Sequence, residues 1–188
     1  MTTPAIILSI LFIVCLTSSV ITRSMGLVTA DDKPSQKWII PLVFGISQGL
    51  AVVIGYNLGR LFAHLFDYVA EYMVFVMMLI VAVKMFVDSM KVLRGKMLYT
   101  VSKDRDFILL SILPAMNTLL MSLMCPFFMP FNYWYPVLIT IAGFLWSFFT
   151  IRQNFEPKMF KRLSFIEFSA SVFMVILAIL YLFTDLMR

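Results

Sequence analysis

Six long apolar stretches make up most of this chain, and they decide what it can fold into. A bilayer core about 30 Å thick requires roughly 20 apolar residues per helical crossing, because no water is present there to satisfy the backbone. The sequence therefore predicts an all-α, integral membrane bundle of six helices. The spans are expected at residues 5–22, 38–62, 68–93, 107–127, 134–151 and 163–186.

Little of the chain remains for a soluble domain. The 188 residues are 62% hydrophobic and have a mean hydropathy of +0.96, which excludes an ordinary soluble globular protein. We therefore expect a single transmembrane domain over residues 1–188. The first four residues carry no charged side chain and the next segment is long enough to span, so we expect the first helix to be retained rather than cleaved.

The basic residues predict an orientation in the membrane. Twelve of the fifteen Lys and Arg residues, beginning with Arg23, fall in or beside the first, third and fifth connections between spans. Basic residues that flank short loops tend to stay in the cytoplasm. We expect both termini outside and those three loops inside, in a bacterial cytoplasmic membrane. Anionic lipid headgroups, and not nucleic acid, are the expected partners of the basic loops.

The order of the spans allows an inverted repeat. Two successive groups of three helices have opposite orientations in the membrane, so a duplication would relate a half near residues 1–97 to one near 104–188. Thr17 and Asn117 each occupy the polar position of an otherwise apolar opening segment. This correspondence predicts that the two residues are equivalent in the two halves.

Four glycines form two GxxxG spacings in the second span, at Gly45, Gly49, Gly55 and Gly59. Such spacings remove side chains from one stripe of a helix and let a neighbouring helix approach closely. Two compatible roles follow. The glycines either only pack helices or also keep this helix adjustable beside a pathway.

Ionisable residues inside a bilayer are costly and usually face the bundle interior. Lys84 and Asp88 are four residues apart in the third span, so they share a helical face and are expected to form an ion pair. Glu167 lies near the cytoplasmic end of the sixth span, as either a boundary residue or part of a pathway lining. The predicted polar pathway is Thr17, Gln48, Asn57, Lys84, Asp88, Asn117 and Glu167.

The sequence does not predict an enzyme. It contains none of the fingerprints of metalloproteases, serine hydrolases, P-loop proteins or Rossmann folds, and no cofactor is expected. Cys15 and Cys125 are isolated in different apolar segments, so we interpret them as small buried hydrophobes.

The runs FGISQG at residues 44–49 and IGYNLG at 54–59 resemble the second helix of the MntP family of manganese efflux pumps. The string KMFVD at residues 84–88 is similar to a basic-Met-x-x-acidic pattern of that family, and Glu167 fits an acidic position in its last helix. The resemblance implies a bundle of two related three-helix halves that moves Mn²⁺ out of the cytoplasm.

The chain departs from the family pattern at three positions. Where the resemblance implies a carboxylate in helices one, two and four, this chain has Thr17, Gln48 and Asn117. Asp88 and Glu167 then remain as the candidate metal ligands, although Mn²⁺ favours anionic oxygen. Two hypotheses stay open: an alternating-access exporter of a divalent or other cation, and a family relic that no longer transports and acts as a membrane interaction or scaffold protein.

Overall fold

The computed structural model describes residues 12–25, 36–94, 105–128, 134–152 and 157–186, and these are almost entirely helical. Helix α1 covers residues 12–25, with a turn at Ser18 before its second segment, Ser19–Met25. The five helices that follow are α2 (Gln36–Phe66), α3 (Ala70–Leu93), α4 (Arg105–Phe128), α5 (Trp134–Arg152) and α6 (Pro157–Leu186). A short 3-10 helix, Asp67–Val69, connects α2 to α3.

Five helices are long and apolar enough to cross a membrane. Their apolar spans are Trp38–Phe62, Tyr72–Leu93, Ile108–Phe127, Trp134–Arg152 and Lys161–Phe183. A shorter apolar helix, Phe12–Ser24, forms the described part of the first predicted span, and residues 5–11 lie outside the described residues. The prediction of an all-α membrane bundle is confirmed.

Helix α1 lies at the centre of the bundle. Its residues 12–24 are all buried except Val14. Leu16 belongs to the largest core cluster together with Met85, Met121 and Met174, which come from α3, α4 and α6. Because α1 is buried on nearly every side, each polar residue that it carries must find a partner inside the protein.

Helices α1 and α2 are antiparallel. Ile13 packs with Val52, whereas Val20, which comes later in α1, packs with Phe44, which comes earlier in α2. This direction follows from a chain that crosses the membrane, turns in a loop and returns. It also fixes which residues of the two helices lie at the same depth.

Two further helix pairs are also antiparallel. The rings of Trp38 and Phe148 are 5.1 Å apart between the start of α2 and the end of α5, and those of Phe86 and Phe168 are 5.2 Å apart between the end of α3 and the start of α6. Pairs α2–α5 and α3–α6 are those that an inverted repeat of three helices would bring together, although the division into halves stays a prediction.

Helices α2 and α4 run parallel and are in close contact at two glycines. A methyl group at Gly55 would meet the backbone oxygen of Leu119, and one at Gly59 would meet that of Leu123. Backbone atoms cannot rotate away as a side chain can. These two glycines therefore set the distance between α2 and α4.

The other two glycines of α2 face α5. Added methyl groups at Gly45 and Gly49 would meet the backbone oxygen and the side-chain hydroxyl of Thr140, respectively. Gly143 of α5 lies equally close to α2, since a methyl group there would be 3.1 Å from the Cγ atom of Gln48. Close packing here brings Gln48 against the α5 backbone.

Candidate functional site

A cluster of uncharged polar side chains occupies the middle of the bundle. We call it the midplane cluster, and its members are Thr17, Gln48, Asn117 and Thr118. All four are buried, with at most 2% of any residue exposed. Gln48 and Asn117 lie near the middle of the spans of α2 and α4, and the Thr118 hydroxyl donates a hydrogen bond to Oε1 of Gln48.

Packing on either side places Thr17 at the level of Gln48. Thr17 lies between Ile13 and Val20, the two α1 residues that pack against α2, and Gln48 lies midway between their partners on that helix. Because side chains three or four residues apart share a helical face, Thr17 is directed towards the same junction. The Thr17 hydroxyl donates to the backbone oxygen of Ile13 at 2.8 Å.

Asn117 faces α1 from the other side. It lies between Leu110, which shares a core cluster with Val20, and Met121, which shares one with Leu16. Spacings of seven and four residues keep these three α4 residues on one helical face. Residues Thr17 and Asn117, which the sequence predicts to be equivalent, thus lie on the faces that α1 and α4 turn towards each other.

Both of these helices lack a regular backbone hydrogen bond near the midplane cluster, although α4 stays one continuous helix from Arg105 to Phe128. In α1, the turn at Ser18 shares the Ser18 N–H between the backbone oxygens of Val14 (3.1 Å) and Cys15 (3.3 Å). In α4, Pro114 has no N–H with which to bond the Leu110 carbonyl.

Several buried polar atoms near this junction have unused hydrogen-bonding capacity. Within the described part of the chain, Nε2 of Gln48, Oδ1 of Asn117 and Oγ of Ser147 have no partner. Ser147 is one helical turn from Gly143, the residue that packs on Gln48. A buried polar atom without a partner destabilises a protein by about 1–3 kcal/mol, so such atoms often mark a site for a ligand or an ion.

A second group, which we call the charged layer, consists of Arg23, Asp88 and Glu167. Nη2 of Arg23 donates to Oδ2 of Asp88 at 2.5 Å, and the two side chains are only 7% and 9% exposed. Nζ of Lys91 lies 3.7 Å from the other Asp88 oxygen, although this lysine side chain is 51% exposed. Helical rise places Arg23 about 9 Å from the level of Thr17, towards the predicted cytoplasmic side.

Glu167 completes the charged layer from α6. It is 1% exposed, and Thr22, Asp88 and Arg23 are its polar and charged neighbours. Its Oε2 atom has no hydrogen-bond partner among the residues that the structure describes. Of the two predicted roles, burial argues against that of a boundary residue in contact with water.

The structure pairs Asp88 with Arg23 rather than with the predicted Lys84, and the burial of Arg23 was not predicted. Arg23 was expected at the edge of the first cytoplasmic loop, but it lies within α1 and is buried against Asp88. The closest cations to Asp88 among the described residues are Arg23 and Lys91. Lys84 is half-buried and within electrostatic reach of both Asp88 and Arg23. Spacing along one helix cannot reveal a partner that comes from another helix.

Asn57 lies apart from the other predicted pathway residues. It is exposed on the outer surface of α2, and its Nδ2 atom donates to the backbone oxygen of Val53 at 2.7 Å. Nine residues separate it from Gln48, which at about 100° per residue is half a turn away from the face that Gln48 occupies. Asn57 therefore faces the surroundings of the bundle.

The hydroxyl partners of the site were not predicted as members. Thr22, Thr118 and Ser147 have the same sequence signal as the other hydroxyl residues of the spans, most of which bond to their own helix backbone. Only the neighbouring helices distinguish them. In the described ranges, no group of three or more His, Cys, Asp or Glu side chains could hold a metal ion, so Asp88 and Glu167 remain a predicted pair of ligands.

Apolar helices that are long enough to cross a membrane and that pack around a buried polar junction define an integral membrane protein with a polar interior, as in transporters. The family model Mntp, described as a putative manganese efflux pump, matches residues 32–152, which is more than half of the chain. The chain belongs to this family. Neither the comparison with curated proteins nor that with solved structures gives a match.

The region that the family model matches contains some of the site residues but not all of them. It contains α2 to α5, and with them Gln48, Asp88 and Asn117. Thr17, Arg23 and Glu167, which α1 and α6 contribute, lie outside it. The Arg23–Asp88 pair thus joins a residue inside the family match to one outside it.

Proposed function

We propose that this protein is an alternating-access transporter that exports a cation from the cytoplasm. The observation that carries the proposal is the buried line of polar groups along the central helix α1, from the midplane cluster to the charged layer. Polar and ionisable groups inside a membrane protein are costly and are typical of substrate pathways. Membership of a family described as a manganese efflux pump supports transport, and Mn²⁺ is the cation that this description names.

In this proposal, two three-helix halves rock about the crossing of α1 and α4. Oxygen atoms of Thr17, Gln48 and Asn117 replace part of the hydration shell of the cation at the midplane. Asp88 and Glu167 attract the cation on the cytoplasmic side. The cations beside Asp88 then act as an internal gate, because they compete with the substrate for its carboxylate.

The proposed orientation follows from the basic loops. Arg23 and Lys91 lie at the ends of α1 and α3 that lead into the first and third loops, which are rich in Lys and Arg. We therefore place the charged layer on the cytoplasmic side of a bacterial inner membrane, with both termini outside.

Cation flux in proteoliposomes tests the proposal. Purified protein would be assayed with Mn²⁺ and with monovalent cations, beside protein-free vesicles. Asn117→Ala and Glu167→Gln should each abolish the flux that the unmodified protein supports, because each removes an oxygen from the pathway. Asn57→Ala is the matched control, since it changes the same residue type on the outer surface, and it should keep full flux.

Absence of cation flux would contradict the proposed transport. If folded, unmodified protein moves none of these cations, the proposal is wrong, and the alternative of a family relic acting as a membrane scaffold gains support. The replacement of three implied carboxylates by Thr17, Gln48 and Asn117 is the observation that favours this alternative. It predicts a membrane protein partner that co-purifies in mild detergent.

A further inference from the structure

We propose that two copies of this chain associate in the membrane through the outer face of α2, with their Asn57 side chains paired. The proposal does not depend on transport. It follows from the part of α2 that the bundle leaves uncovered, from the amide that lies within this part, and from the ability of an amide to pair with its own copy.

Two sides of α2 are used inside the bundle, and one is not. The four glycines of this helix bring it into close contact with α4 and α5. The remaining side is a row of exposed residues, which we call the outer stripe. Its members are Ile46, Leu50, Val53, Asn57 and Leu61. Four of the five are aliphatic, as expected for a surface in contact with lipid.

Asn57 is the exception in this stripe. It is the only exposed residue of the described spans with a side-chain amide, and it lies about 8 Å inside the end of the α2 span. Its Nδ2 atom donates to the backbone oxygen of Val53. In the part of the chain that the structure describes, this is the only hydrogen bond of the amide, so its oxygen and its second N–H remain available. Lipid tails offer no partner for them.

Ser169 of α6 shows that exposure of a polar residue does not by itself require a partner. Its hydroxyl is also exposed within a span, and it donates its one proton to the backbone oxygen of Phe165 at 2.8 Å. A hydroxyl has one donor, whereas an amide has two donors and an acceptor. The helix that carries Asn57 therefore satisfies only part of the amide, and a second molecule must satisfy the rest.

A second copy of the chain fits this requirement. An amide both donates and accepts, so two amides related by a two-fold axis can donate to each other. Copies inserted in the same direction have parallel α2 helices, which places both Asn57 residues at the same depth. Spacings of four, three and four residues separate Ile46, Leu50, Val53 and Asn57. This is the spacing of a coiled-coil seam, in which a single Asn pairs with its own copy and selects a parallel dimer.

The positive charge near the outer stripe does not prevent this pairing. Arg60 is exposed and lies three residues beyond Asn57, two residues from the end of the span. A long arginine side chain at this position can place its guanidinium in water at the membrane surface. Repulsion between the two copies of Arg60 is then screened by solvent and salt.

Counting subunits in liposomes tests the proposal. The protein would carry one fluorophore at Tyr68→Cys, with Cys15 and Cys125 changed to Ala. Single-molecule photobleaching would count copies in vesicles of phosphatidylethanolamine and phosphatidylglycerol at increasing lipid dilution. Dimers should prevail at high protein-to-lipid ratios. Asn57→Leu should need an about tenfold higher ratio for half-dimerisation, because it removes the hydrogen bonds between the helices.

Two further variants separate the amide from general effects of substitution. Asn57→Gln keeps an amide and should retain most of the association. Ser169→Ala is the matched control, since it removes an exposed polar group that already has a partner, and it should dimerise like the parent protein. Because each copy has its own midplane cluster, loss of dimers in Asn57→Leu should leave cation flux unchanged.

Cross-linking locates the interface. In the same cysteine-free background, Val53→Cys should form a disulfide between copies, whereas Val76→Cys, which is exposed on α3, should not. Monomers at every lipid dilution would overturn the proposal and leave the amide to lipid headgroups. Dimers that are equally stable in Asn57→Leu, or that cross-link only at Val76→Cys, would place the interface on another face and would also overturn it.

Discussion

Breaking the Arg23–Asp88 pair should destabilise the fold unequally, depending on which partner is removed. Arg23→Gln leaves the Asp88 carboxylate buried beside a second carboxyl group, Glu167, and without its direct partner. Asp88→Asn instead leaves Arg23 beside Glu167, so one opposite charge remains. The arginine substitution should therefore be the more damaging of the two.

The structure sets the size of the effect. Both side chains are less than a tenth exposed, so solvent screening is small and breaking the pair costs about 3–5 kcal/mol of unfolding free energy. For Arg23→Gln, the loss of unfolding free energy should be close to the upper end of this range, about 5 kcal/mol. The half-exposed Lys91 compensates for the loss of Arg23 by at most about 1 kcal/mol. Asp88→Asn should lie near or below about 3 kcal/mol, because Glu167 replaces the lost partner.

Reversible unfolding in mixed detergent micelles measures these free energies. The double variant Arg23→Met/Asp88→Leu should recover most of the loss, since apolar side chains of similar size often replace a buried ion pair without destabilisation. Arg152→Gln is the control, because Arg152 is exposed and lies over the ring of Phe148 in a cation–π pair worth about 0.5–1 kcal/mol. Losses below about 1 kcal/mol for both single variants would refute a buried pair.

Two other predictions concern the close packing of helices at glycines and the buried hydrogen bond of Thr118. Gly59→Ala should destabilise the bundle by about 1–3 kcal/mol, because the new methyl group meets the Leu123 backbone, which cannot rotate away. Gly49→Ala should cost less, about 1 kcal/mol, because the Thr140 hydroxyl that it meets can turn aside at the loss of its hydrogen bond to the Pro136 backbone oxygen. Equal losses in micelle unfolding would contradict this. Thr118→Val should lower the free energy of unfolding by about 1–3 kcal/mol, because Oε1 of Gln48 is left without its donor. Thr118→Ser keeps a hydroxyl and should retain most of the stability. Similar losses in the two variants would argue against this hydrogen bond.

Hydropathy was sufficient to predict the membrane spans. The predicted span at residues 38–62 coincides with the apolar span of α2, and the other four described spans agree to within a few residues. This succeeds because the thickness of the bilayer fixes both the length and the apolar character of a crossing. The prediction needs no knowledge of which helix faces which.

The polar contacts could be predicted only in part. Thr17, Gln48 and Asn117 were identifiable because an uncharged polar residue is conspicuous within an apolar run. Asn57 has the same signal and yet faces outward, since its position around α2 becomes known only when the neighbouring helices are placed. Arg23 was the largest miss, because burial of a basic residue next to a loop depends on an acid from another helix.

The arrangement of the helices within the bundle could not be predicted from the sequence pattern. α1 is one of several apolar helices among the described residues, so its apolar character does not single it out as the central helix. Its burial comes from packing against every neighbour at once, with Leu16, Ile13 and Val20 in three separate core clusters. Contacts of this kind are distributed over the whole chain and have no local signature.

The central claim is that the midplane cluster lies on a pathway open to each side of the membrane in turn. Thr17→Cys, in a background with Cys15 and Cys125 changed to Ala, can be labelled with thiol reagents that do not cross membranes. The account predicts labelling from both sides, slowed by the transported cation. Absence of labelling from either side, in protein that folds and labels at the exposed Tyr68→Cys and Arg94→Cys controls outside the spans, would contradict the account and make the cluster a packed polar core.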